Sequence, residues 1–89
     1  MASLQGFERL EKYGSAVESI YKELGNSLNK HATLANLSRH VPKHDRGFVK
    51  DVVRVFFRVG LLRKHRTDTY SWTAEGLHYS KSLLRERLL

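Results

Sequence analysis

The sequence predicts a mainly helical chain with one small β-hairpin, an α+β domain of 89 residues, and three observations lead there. Residues 46–59 carry an apolar stripe beside a separate row of cations, the pattern of a helix with one face turned inward and one outward. Residues 61–73 run as a basic stretch, a polar turn and an alternating aromatic stretch, which is the pattern of a hairpin. Residues 16–24 and 74–88 repeat an apolar residue at every third or fourth position, giving a helix on either side.

At this length one domain is expected over residues 1–89, with a core at 15–77 and flanking helical segments at 1–14 and 78–89. The chain has no cysteine, which excludes a disulfide framework and a thiolate metal site. No apolar run approaches the length of a membrane span, and MASLQGFERLEKYG carries acidic residues where a signal peptide needs a basic head. A cytoplasmic, nucleoid-associated protein is therefore expected. The formal charge of +7 is uneven, because residues 41–70 hold eight Lys/Arg against three Asp/Glu. A localised basic patch of this kind favours polyanions.

Taken in order, Leu4, Phe7, Leu10 and Tyr13 form a narrow stripe at three-residue steps, interrupted by Gly14. Ser15 to Glu18 has the form of a capping box, so this region reads as one bent helix or as two. Val17, Ile20, Tyr21 and Leu24 describe one helical face, and Gly25 stops it. After a polar connection, His31, Ala32 and Thr33 read as a brief strand that pairs with the later hairpin. Thr33 caps a helix over 34–40 with Leu34, Leu37 and Val41 inward and Asn36 and Arg39 outward, closed by Pro42.

Lys43, His44 and Asp45 make the next turn, with Asp45 placed to meet the positive end of the following helix dipole. In helix 46–59, Val49, Val52, Val53, Phe56 and Val59 form the buried stripe, with Phe48 and Phe57 at its edges. Arg46, Lys50, Arg54 and Arg58 recur every four residues on another side. Gly60 ends the helix. In the hairpin, Tyr70 and Trp72 share the inner face and Ser71 and Thr73 the outer, with a connecting loop of three to five residues, since Thr67-Asp68 is not the Asn-Gly of a two-residue turn. Thr73 caps a last helix from Ala74, whose Leu77, Ser80, Leu84 and Leu88 share a face with help from Leu83.

Three local patterns in this order resemble a winged helix-turn-helix DNA-binding domain of the small archaeal and bacterial transcription-regulator type. Ala32-Thr33-Leu34 with Leu37 resembles the start of that family's second helix. Val59-Gly60-Leu61-Leu62-Arg63-Lys64 resembles the exit from its recognition helix into the wing, and Tyr70-Ser71-Trp72-Thr73-Ala74-Glu75-Gly76 resembles the stretch that closes the wing. The resemblance covers about residues 16–77; Gly47 in the first turn of the recognition helix and Phe56-Phe57 depart from the usual pattern.

What the resemblance implies is a three-helix core plus a wing, and a DNA-binding surface. Arg46, Gly47, Lys50 and Arg54 would face the major groove, Lys43 and His44 would lie beside the backbone, and Arg63, Lys64, His65 and Arg66 would line the wing on phosphate or the minor groove. The chemistry agrees independently: an Arg fork reads guanine and wing cations displace counterions from phosphate. The expected partner is double-stranded DNA, with no cofactor, no metal and no small-molecule substrate. Because the outer segments Leu4 to Tyr13 and Leu77 to Leu88 are amphipathic and not needed for the minimal fold, a homodimer through them is expected, which would set two recognition helices roughly 34 Å apart, one DNA turn.

Other classes have less behind them. His40 and His44 have metal-like spacing, but Pro42 breaks the helix between them and no third ligand is evident. No nucleophile elbow, phosphate-binding glycine loop or carboxylate pair beside a histidine occurs, so an enzyme is not expected. A protein-interaction adaptor without DNA binding is the main alternative, and RNA binding through the same basic surface the third.

Overall fold

The computed structural model describes the backbone of residues 2–88 and the side chains of residues 9–86. Four helices and a three-stranded antiparallel sheet follow in the order α1 (Ala2–Leu24), β1 (Ala32–Thr33), α2 (Leu34–Leu37), a 3-10 turn (Lys43–Asp45), α3 (Arg46–Arg58), β2 (Leu62–Arg66), β3 (Thr69–Trp72) and α4 (Ala74–Leu88). Among the described residues no helix is long and apolar enough to cross a membrane.

α1 is one continuous helix, so the interruption expected at Gly14 and the cap expected at Ser15 do not occur. Glycine costs a helix about 1 kcal/mol relative to alanine. Here Gly14 is buried, and the packing of Tyr13, Ala16 and Val17 on either side of it in the chain carries the helix through. Leu10 stays 69% exposed, while the side chains of Leu4, Phe7 and Leu88 lie outside the described residues.

The core is closed by Val17, Ile20 and Leu24 of α1, Leu37, Val49, Val53 and Phe56 of α2 and α3, and Leu62, Tyr70 and Trp72 of the sheet. Phe56 packs edge-on against Tyr13 of α1 and Tyr79 of α4, whose hydroxyls share a 2.5 Å hydrogen bond. Ser80 of α4 is fully buried and its hydroxyl has no partner among the described residues. Trp72 donates its indole N–H to the carbonyl of Gly25 at 3.1 Å, fixing β3 to the end of α1. Tyr70 and Trp72 are therefore core residues, as the alternation predicts; Ser71, expected outside, is buried as well.

Thr33 caps α2 by accepting from the Asn36 amide, but the helix ends at Leu37 rather than at 40. Ser38 turns its hydroxyl back onto the carbonyl of Ala35 at 3.0 Å, competing with the helical ladder and tightening the chain there. α3 ends at Arg58, and Val59 stands as its cap, 63% exposed rather than in the buried stripe. Asp45 precedes α3 without a side-chain capping bond and pairs with Lys12 of α1 at 3.8 Å instead.

A buried carboxylate ties α1 to the segment after α2. Glu23 accepts from Arg39 Nε at 2.5 Å and lies 2.7 Å from His40 Nε2. Burial raises its pKa, but the hydrogen bond from His40 and the bond and charge of Arg39 together prevail, holding the group below its ordinary 4.5. A carboxyl lowered on folding stabilises the protein above its unfolded pKa and loses that contribution as pH falls through the folded value. Urea unfolding at about pH 6 and about pH 3 checks this: Glu23→Gln is expected to be less stable than wild type at the higher pH and to show a smaller loss on acidification.

Candidate nucleic-acid interface

The sheet has the order β1-β3-β2, so the segment before α2 and the hairpin after α3 share one three-stranded unit. Ala32 pairs with Tyr70, which realises the brief strand expected at 31–33, though His31 precedes it. The hairpin closes through two residues, Thr67 and Asp68, not the longer loop expected. Neither adopts a positive φ, so the turn is not of the primed kind that matches strand twist. The register instead shifts between Lys64 and Arg66, where the extra residue in β2 takes up the mismatch.

This register decides where the hairpin cations point, since directly paired residues share a face. Lys64 pairs with Tyr70 and lies on the helix side of the sheet, its Nζ 6.0 Å from the centre of the Phe57 ring on α3. Arg63 pairs with Ser71 and Arg66 with Thr69, on the opposite face. The cations predicted for the wing are thus divided between its two sides.

His65 does not join them as a charge. Its ring stacks on His31 with centroids 3.8 Å apart, and Nε2 lies 2.7 Å from the Ser71 hydroxyl. Loss of water around the ring, then the charges of His31 and Arg63, push its pKa below the ordinary 6.5, which favours the neutral ring.

On α3, Val49, Val52, Val53 and Phe56 point to the core and Arg46, Gly47, Lys50 and Arg54 are exposed together. Phe57 follows Arg46 by three turns, on nearly the same line, so Arg46, Lys50, Phe57 and then Lys64 run along one side from helix to hairpin. Lys43 and His44 precede this row in the 3-10 turn, with His44 3.6 Å from Asp45. Among the described residues Lys43, Arg46, Lys50, Arg63, Lys64 and Arg66 form no ion pair; Arg54 lies 3.6 Å from Asp51.

Two exposed charged residues of this surface are absent from the predicted set. Arg58 continues the cation row one turn beyond Arg54, and the four-residue period already pointed to it. Asp51 places a carboxylate in the middle of the row. Comparison of the chain with protein-family models, with curated proteins and with solved structures finds no match.

Proposed function

We propose that this protein binds double-stranded DNA as a winged helix-turn-helix transcription regulator, with α3 in the major groove and the β2–β3 hairpin as the wing. One observation carries the reading: Arg46 and Lys50 of α3 line up with Lys64 of the adjoining hairpin along one exposed side, and none of the three has an ion-pair partner among the described residues. A polyanion supplies what the fold does not. α3, at 13 residues, is about 20 Å long, and a helix of ordinary diameter fits a groove about 12 Å wide. The element order, with β1 beside β3 and β2 outermost, supports a wing flanking the groove helix.

Cations on both faces of the hairpin support a wing that lies against the phosphate backbone or in the minor groove. Gly47 also fits the reading. Its φ is not positive and a Cβ there would meet nothing within 4 Å, so the fold has no need of glycine, whereas backbone approaching DNA does. Leu10, exposed on the N-terminal half of α1 beyond Tyr13, would be covered in a two-fold pair of chains.

Competition against a labelled duplex tests the proposal. Unlabelled duplex DNA is expected to displace the label at far lower concentration than structured or single-stranded RNA of equal length. Equal or better displacement by RNA would replace the DNA reading with an RNA one. No binding to either would favour a protein-interaction adaptor.

A further inference from the structure

We propose that Asp51 and Arg54 act together to read one oriented G·C base pair, so that the protein selects sequence rather than coating duplex DNA. This rests on the duplex-binding reading above. The buried residues Val49, Val52, Val53 and Phe56 define the inward side of α3. At 100° per residue, the directly opposite side holds Gly47, Asp51, Arg54 and Arg58, all exposed. The part of the helix that reaches deepest into a groove therefore carries a carboxylate among its cations.

A surface built for phosphate alone gains nothing from a negative charge at its centre, where it repels the backbone. Nor does the fold require it. The Asp51 side chain is 73% exposed, and its contact is with Arg54 Nη1 at 3.6 Å, an exposed pair on one helix that adds little to stability. Gly47, one turn earlier, leaves the space beside Asp51 on its N-terminal side clear, so base edges can approach the carboxylate and the backbone together.

The chemistry of the pair matches one edge of DNA. In the major groove a G·C pair presents two acceptors on guanine, N7 and O6, followed by the N4 amino donor of cytosine. An Arg guanidinium offers two parallel donors, and an ionised carboxylate only accepts. Side by side, Arg54 and Asp51 present donor, donor and acceptor, the complement of that edge in one orientation. An A·T pair, with acceptor, donor, acceptor and a methyl group, sets its central donor against an Arg donor.

Selection from a pool of randomised duplexes, run with wild type and with Asp51→Ala, tests the proposal. Circular dichroism confirms that the variant is folded. Wild type is expected to enrich a motif containing a fixed G·C pair. Asp51→Ala is expected to bind the unselected pool at least as tightly but to lose roughly tenfold in discrimination at that one pair. A variant that enriches the wild-type motif unchanged would overturn the proposal. A wild type that binds the pool but enriches no motif would also overturn it while leaving duplex binding intact. A wild type that binds no duplex at all would remove the underlying reading and this inference with it.

Discussion

Gly76→Ala is expected to destabilise the protein by roughly 3 kcal/mol or more, lowering its melting temperature by about 15 °C. A Cβ at position 76 would stand 1.7 Å from the carbonyl oxygen of Leu61 and 2.6 Å from its carbonyl carbon, both backbone atoms. That backbone has no room to withdraw. The Leu61 amide donates to the carbonyl of Phe56 at 2.7 Å, and its carbonyl accepts from the amide of Thr73 at 3.2 Å. The next residue, Leu62, is buried and paired with Trp72.

Thr73 closes the same junction from the other side. Its hydroxyl donates to the carbonyl of Gly60 at 2.7 Å and accepts from the amide of Gly76 at 3.1 Å, joining the end of α3 to the start of α4. Gly60, at φ 87, makes the reversal that leads into β2. Moving Leu61 away from a new methyl group would pull on all of these bonds. Thermal melts followed by circular dichroism check the effect, with Gly47→Ala, whose Cβ meets open space, as the comparison. A Gly76→Ala protein within about 0.5 kcal/mol of wild type would refute the close-approach argument.

The second large effect concerns binding. Lys50→Ala with Arg54→Ala removes two cations from the exposed side of α3, and both side chains stand clear of the core. Stability should change little, since surface substitutions away from special features cost about 0.5 kcal/mol or less. Affinity for duplex DNA, by contrast, is expected to fall roughly a hundredfold at moderate salt, combining a lost phosphate contact with a lost base contact. Loss of binding together with loss of fold would not count in favour of groove docking, so the melt is measured alongside.

How far the sequence led depends on which forces act locally. The inward stripe of α3 at Val49, Val52, Val53 and Phe56 was legible because burial follows helical period. Stops at Gly25 and Gly60 were legible because both sites have positive φ, 63 and 87, which glycine adopts without strain. The Thr33 cap and the pairing of Ala32 were legible for similar reasons of local chemistry.

What escaped was set by contacts distant in sequence. Gly14 reads locally as a break, yet the packing of α1 on α3 and α4 carries the helix across it. Leu37 ends α2 early because of where the Ser38 hydroxyl turns. Of the candidate site, the cation row on α3 was visible in its four-residue period, whereas the division of the hairpin cations was not. Alternation alone separates Arg63 from Lys64, but Arg66 joins the face of Arg63 through a register shift near His65, and no single residue announces such a shift. The stacking of His65 on His31 was likewise not visible, because the sheet brings the two rings together.

Duplex binding followed by fluorescence anisotropy across a salt series, with wild type and the Lys50→Ala, Arg54→Ala protein, tests the central claim most directly. If about four to eight phosphates are neutralised, log K of wild type should fall with log salt at a slope of about minus four to minus seven. The double variant should bind more weakly, with a slope shallower by about one to two. Weak wild-type binding that the double substitution leaves unchanged would contradict groove docking by α3 and turn attention to a protein partner.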